Sequence, residues 1–165
     1  MNDVCNPGTN IAFLDSPVGM LEILEEKGFI RELHFGSSEK KPETSSPSSP
    51  VLKRCLGELR EYFEGTRRVF TVPLHFRGTP FQEQVWRALL KIPYGETRSY
   101  QDIAVALGNP RALRAVGGAN HKNPLALLVP CHRVIGKDGS LTGFGGGLSI
   151  KQWLLEHEKR HALKG

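Results

Sequence analysis

Apolar and polar residues alternate in short runs through residues 10–24, broken by Ser16-Pro17 and Gly19, and a similar run over 29–35 follows Lys27-Gly28. A period near two, punctuated by Pro and Gly, predicts strands joined by tight turns. The pattern then lapses. Residues 37–50 hold six serines and three prolines, which predicts an exposed loop with little fixed structure. Over 51–63 the apolar positions Leu52, Cys55, Leu56, Leu59, Tyr62 and Phe63 recur at helical spacing, and Gly65 ends the segment. Cys55 lies on that stripe and is read as a packed core thiol with no chemical role.

The period changes after an extended connector at 69–76. Thr79-Pro80 offers a capping residue with proline at the first helical position, and Phe81, Val85, Trp86, Leu89 and Leu90 make one apolar face until Ile92-Pro93-Tyr94-Gly95 stops it. Ser99 caps a second helix with Ile103, Ala104 and Leu107 facing inward. Gly108-Asn109 turns the chain and Pro110 starts a third helix. Two short helices about a glycine turn suggest a helix-turn-helix with residues 111–118 in the recognition position, though many small helical domains share this outline. The apolar, proline-flanked stretch 122–131 is expected to be a buried strand or extended segment. Val134-Ile135 with Lys137-Asp138-Gly139 reads as a short strand and turn, then a glycine-rich loop at 143–147 and a last helix over 148–155.

Charge sharpens this division. Residues 1–76 carry 9 Lys/Arg against 11 Asp/Glu (net −2), and residues 77–165 carry 13 against 6 (net +7). From Ile103 to Leu155 the one acid is Asp138, against Arg111, Arg114, Lys122, Arg133, Lys137 and Lys151. Such a surface attracts a polyanion such as DNA, or is simply a solvated basic face. No apolar run approaches the roughly 18 residues of a membrane helix, and no basic-then-apolar leader opens the chain. A cytoplasmic or nuclear protein is expected. The three cysteines, Cys5, Cys55 and Cys131, form neither an even set nor a CxxC pair, so free thiols are expected rather than disulfides or a zinc ribbon.

The chemistry concentrates at Pro130-Cys131-His132-Arg133, where a thiol lies beside an imidazole and a guanidinium, near the glycine loop. Positive neighbours favour thiolate, and a nucleophilic cysteine needs a base that a third group orients. In extended backbone Cys131 and His132 would point to opposite faces, so the imidazole is expected to reach the thiol through a turn or a bridging water, with Glu158 as the candidate orienter. On the residues alone, Cys131 is either such a nucleophile or a structural cysteine. A metal site lacks a second ligand pair of suitable spacing.

The segment Val129-Pro130-Cys131-His132-Arg133-Val134-Ile135 closely resembles the active-site signature of the O6-alkylguanine-DNA alkyltransferases, also called methylated-DNA–protein-cysteine methyltransferases. Further blocks match in order: residues 81–100 (FQEQVWRALLKIPYGETRSY), 114–120 (RAVGGAN), Asn123-Pro124, Trp153-Leu154-Leu155 and His157-Glu158. The resemblance covers residues 79–160, whereas residues 1–76 match loosely, chiefly at the turn Asp15–Gly19. It implies stoichiometric, irreversible transfer of the alkyl group from O6-alkylguanine, and from O4-alkylthymine, in double-stranded DNA to Cys131. In that scheme His132 is the base acting through water, Glu158 orients it and Asn123 braces the turn. Tyr100, Val134, Phe144, Gly145 and Ala126 line the substrate pocket. Arg114 fills the gap left by a flipped nucleotide, Ala115, Gly117 and Gly118 let the backbone come close to the minor groove, and Arg111 and Lys122 are further DNA-binding residues.

Two departures stand out: Gly145 replaces a serine of several relatives, and Ala126 replaces a proline of some. The second implies a roomier pocket that takes a benzyl adduct. No cofactor is implied, and zinc is not expected, because Cys5 lacks a partner. The expected architecture is an α/β N-terminal domain with a small sheet (1–77), joined to a mainly α C-terminal domain (78–165) that carries a winged-helix-like helix-turn-helix and the reactive cysteine. A monomer is expected. The rivals are a non-catalytic binder of alkylated DNA, which would lack the nucleophile; a helix-turn-helix regulator, for which no sensor domain is visible; and a thiol hydrolase, which would turn over repeatedly.

Overall fold

The computed structural model describes residues 8–36 and 49–163, and the chain divides into two compact units at His75/Phe76. Most of the segment read as a serine-proline loop, and Cys5, lie outside the described residues. The last two residues of that loop do not belong to it: Ser49 caps a helix that begins at Pro50, its hydroxyl accepting from the Leu52 N–H.

In the first unit, β1 (Thr9–Ser16), β2 (Gly19–Glu26) and β3 (Phe29–Phe35) form an antiparallel meander in chain order. Strict alternation puts Ala12, Leu14, Leu21 and Ile23 on the buried face. The next buried pair, Ile30 and Leu33, is three residues apart, an odd step that plain pleating forbids. A register shift opposite Leu24/Glu25 resolves it, because Glu25 pairs with Ile30 and Leu24 with Glu32, leaving Arg31 as the extra residue. Helix α1 (Pro50–Glu64) covers this face with Leu52, Cys55, Leu56, Leu59 and Tyr62. Each such burial stabilises by about 1.5–3 kcal/mol for a large apolar side chain. Glu58 on the same face is buried too, and its carboxylate accepts from the Thr71 and Val72 N–H groups and the Thr71 hydroxyl, pinning the connector along α1. Burial, then the nearby Glu58 charge, pushes the Cys55 thiol up to about 12, which suits an inert core group.

The second unit is mainly helical: α2 (Pro80–Leu89), α3 (Tyr100–Ala106), α4 (Leu113–His121) and α5 (Leu148–Ala162). Thr79 and Ser99 open α2 and α3 with reciprocal capping boxes, closed by Gln82 and Asp102. A two-residue parallel ladder, β4 (Arg98–Ser99) with β5 (Val134–Ile135), ties the start of α3 to the chain after Cys131. Buried Trp86 donates from its indole to the Ala119 carbonyl at 2.9 Å and joins α2 to α4.

Three expectations are corrected here. Helix α4 begins at Leu113, not Pro110, because Asn109 to Ala112 closes a turn of its own, with the Ala112 N–H on the Asn109 carbonyl; Arg111 therefore precedes the helix. Helix α5 runs two turns beyond residue 155. The stretch 122–131 is no strand: the Leu128 N–H bonds the Ala126 carbonyl, the Val129 N–H bonds the Leu125 carbonyl, and Leu127 takes φ 71°. Its three leucines and Val129 are buried as a knot of turns plugged into the core, an arrangement that an apolar run alone does not distinguish from a strand. Among the described residues, no helix is long and apolar enough to cross a membrane.

Candidate active site

Cys131 opens a single 3-10 turn, Cys131–Arg133, whose three residues are all buried. The turn follows Pro130 and is closed by the Arg133 N–H on the Pro130 carbonyl and the Val134 N–H on the Cys131 carbonyl. Because the backbone curls, the opposite-face rule for extended chain does not apply to Cys131 and His132. Asn123 braces the approach: its amide donates to the Val129 carbonyl at 2.9 Å and its oxygen accepts from the Leu125 N–H at 2.9 Å.

Glu158 is the hub beneath the turn. Only 1% exposed, it accepts from His132 Nε2 at 2.7 Å, from Arg133 Nε at 2.7 Å and Nη2 at 3.1 Å, and from the Gly95 N–H at 3.3 Å. Burial pushes its carboxyl up, but His132 and Arg133 outweigh that and hold it well below the usual carboxylate range. An ionised carboxylate only accepts, so His132 Nε2 carries the proton. In the neutral ring Nδ1, which is buried and has no hydrogen-bond partner among the described residues, is then the basic nitrogen.

Burial pushes the Cys131 thiol up; the Asn123 side chain, the Lys151 charge and the N–H groups of Cys131 and His132 act in the opposite direction without reversing it. The resting group is therefore a thiol, and its proton needs a base at the moment of attack. The cation that favours its thiolate is Lys151 rather than a neighbour along the turn. Arg133 is committed to Glu158, to the Ile92 carbonyl at 2.7 Å and to the face of Tyr94.

The basic-surface reading needs correction. Of the six cations between Ile103 and Leu155, Arg133 and Lys151 are buried, whereas Arg111, Arg114, Lys122 and Lys137 are exposed. Arg114 and Gly117 on α4 join Tyr100, Gln101, Leu113, Gly136, Lys137 and Thr142 around a hollow of about 370 Å³. The Thr142 hydroxyl donates to the Tyr100 oxygen at 3.0 Å. The hollow does not reach Cys131, Ala126, Val134, Phe144 or Gly145, and Arg111, Ala115, Gly118 and Lys122 also lie outside its lining. Ala115 and Gly118 are exposed, and a Cβ added at Gly117 or Gly118 would meet nothing within 4 Å, so this face of α4 is open to another molecule. Phe144 is half-buried, and Gly145 is exposed with room for a Cβ. Ala126 and Val134 sit on either side of the thiol in sequence, half-buried and buried.

Lys151, Thr142 and Gly95 escaped the sequence reading. For Lys151 a signal existed, since residues 151, 154 and 158 share one helical face with buried Leu154 and Glu158. For Thr142 and the Gly95 N–H there was none.

The model of the 6-O-methylguanine DNA methyltransferase DNA-binding domain matches residues 80–160, and that of the ribonuclease-like domain of the same enzymes matches residues 11–76. A constitutive methylated-DNA–protein-cysteine methyltransferase of Bacillus subtilis is 47% identical over 152 residues, covering 88% of this chain and 92% of the relative. The crystal structure of the O6-methylguanine methyltransferase of Mycobacterium tuberculosis superposes with a TM-score of 0.83 at 44% identity, covering 93% of this chain and 94% of that one. A Mycobacterium tuberculosis OGT crystallised in complex with DNA gives 0.82 at 46% identity, covering 90% and 92%. With a buried Cys-His-Glu constellation in its second unit and matches spanning both units, the chain belongs to the 6-O-methylguanine DNA methyltransferase family.

Proposed function

We propose that this chain repairs DNA by moving the alkyl group of O6-alkylguanine onto Cys131 in one irreversible turnover. The observation that carries the reading is the 2.7 Å bond from His132 Nε2 to buried Glu158, which leaves Nδ1 as the basic nitrogen of the residue adjoining the thiol. His132 Nδ1 takes the thiol proton through a bridging water, and the sulfur attacks the alkyl carbon in line with the departing O6. The S–C bond forms as the C–O6 bond breaks, guanine leaves with the electron pair, and the proton held by His132 returns to the purine. The ionised Glu158 stabilises the imidazolium in between. A thioether is not reversed by any group in the site, so one molecule removes one lesion.

The same reading gives Arg114 the gap in the stack, Tyr100 the extruded nucleotide and the backbone around Val134, Phe144 and Gly145 the guanine edge, with Ala126 leaving room for bulkier alkyl groups. Arg111 and Lys122 meet phosphates, and Ala115, Gly117 and Gly118 let the backbone approach the minor groove. O4-alkylthymine is a second substrate on the same chemistry, the protein acts as a monomer, and a reducing cytoplasmic or nuclear compartment keeps the thiol free. The test is intact-mass spectrometry after incubation with an oligonucleotide containing O6-methylguanine. The expected result is a gain of one methyl on the Cys131 peptide, absent in Cys131→Ser. Lesion loss with an unmodified chain would instead favour a hydrolase, and binding without lesion loss a damage-recognition protein.

A further inference from the structure

Lys151 has a side chain that the proposed chemistry leaves unused and that ought not to be buried. It is 0% exposed, and among the described residues no carboxylate pairs with it. Its ammonium donates instead to two carbonyls, Val134 at 2.6 Å and Thr142 at 2.8 Å. A buried cation held only by dipoles is costly, and such lysines are rare without a compensating charge. Glu158, seven residues along the same helix face, does not supply one, being committed to His132 and Arg133.

The position of the two carbonyls is what gives the ammonium a role. Val134 ends the 3-10 turn and its N–H holds the Cys131 carbonyl, so two hydrogen bonds in series connect Lys151 to Cys131. Thr142 belongs to the approach to the glycine loop, and its hydroxyl reaches Tyr100.

We propose that Lys151 is a positioning residue for alkyl transfer: its buried ammonium is the counter-charge against which the Cys131 thiolate forms, and it fastens the turn bearing the thiol to the Thr142 segment. This rests on the proposed transfer to Cys131. Among the described residues, the buried ionisable groups on the thiol's own turn are His132 and Arg133, and those on α5 are Lys151, Glu158 and His157, the last of which packs its ring against Trp153 and His161; α2, which also packs against the turn, buries only Val85, Trp86 and Leu89. With the His132 ring neutral at rest, the charge of Glu158 is matched by Arg133, which leaves Lys151 as the unmatched positive charge. Burial lowers the pKa of Lys151 and the neighbouring Cys131 raises it, as expected of two groups that sense each other.

The experiment is a pH profile of single-turnover methyl transfer for wild type, Lys151→Gln and Lys151→Met. Loss of the counter-charge should move the midpoint of the alkaline rise upward by about one pH unit in both variants, with transfer at neutral pH roughly ten-fold slower and partly recovered at high pH. A loss of rate that is parallel at every pH, with the midpoint unmoved, overturns the proposal, because that is what a purely structural lysine would produce. A second measurement needs neither variant nor DNA: the carbon-13 shift of the Lys151 ε-methylene, titrated in wild type and in Cys131→Ser. The lysine should titrate at higher pH when the thiol is present, and coincident curves overturn the coupling. If wild type transfers no methyl, the proposed repair function fails while the lysine titration still decides this inference.

Discussion

Replacing Glu158 by Gln should destabilise the second unit more than any surface change, and by an amount the geometry supports. Glu158 is 1% exposed and accepts hydrogen bonds from His132, from Arg133 and from the Gly95 N–H. Removing one partner of a buried ion pair costs about 3–5 kcal/mol. Gln keeps one acceptor oxygen, so the expected loss is near the lower end, about 3 kcal/mol, out of a total of roughly 5–15 for a domain. At a urea dependence of about 1–3 kcal/mol per molar, the midpoint falls by roughly 1–3 M. Tryptophan fluorescence is the natural probe, because the only two tryptophans, Trp86 and Trp153, both lie in the second unit.

The pH dependence has a definite sign. The Glu158 carboxyl is held below its ordinary value in the folded chain, so its contribution is complete above the ordinary carboxylate pKa of about 4.3 and is lost as pH falls toward the folded value. The variant has no such group to titrate. The gap between wild type and Glu158→Gln should therefore narrow steadily below about pH 4. A gap that stays constant between neutral and acid pH, or a urea midpoint indistinguishable from wild type, would refute the view that Glu158 is an ionised hub.

Asn123→Ala removes both bonds that brace the turn before the thiol, at Val129 and Leu125, and should cost about 1–2 kcal/mol in urea unfolding together with a slower transfer step. Stability equal to wild type would mean that the knot holds itself. Arg114→Ala should slow repair of a duplex lesion by roughly ten-fold or more, since unstacking costs a few kcal/mol and nothing then fills the stack. The loss should shrink on a single-stranded substrate, and equal losses on both would remove the gap-filling role.

The helices were legible in the sequence where local chemistry and period agree. Thr79 and Ser99 are capping residues placed before apolar periods, and each starts a helix as that chemistry requires, whereas the cap at Ser49 was hidden within a serine-proline run. The first-unit strands were visible for a similar reason, although the extra residue at Arg31 was not, because a bulge depends on the partner strand. The segment 122–131 misled because burial of an apolar run says nothing about its dihedrals, and the side-chain bonds of Asn123 and the turn at Leu127 replace the ladder. Charge misled more deeply. Arg133 and Lys151 read as part of a basic surface, yet they are buried, one against Glu158 and the other against two carbonyls, and no local pattern encodes partners 25 and 17 residues away. The pairing of His132 with Glu158 was named in the sequence as a candidate, but its geometry was not legible there: it exists because α5 continues past residue 155 and packs beneath the 3-10 turn.

The bond from Trp86 to the Ala119 carbonyl has a mechanical consequence for lesion recognition. A fully buried indole spiked into the last turns of α4 makes that helix a fixed tooth rather than a swinging arm. On the proposed docking, bending and opening must then be done by the double helix, so stiff surroundings should protect a lesion and easily kinked base steps should betray it.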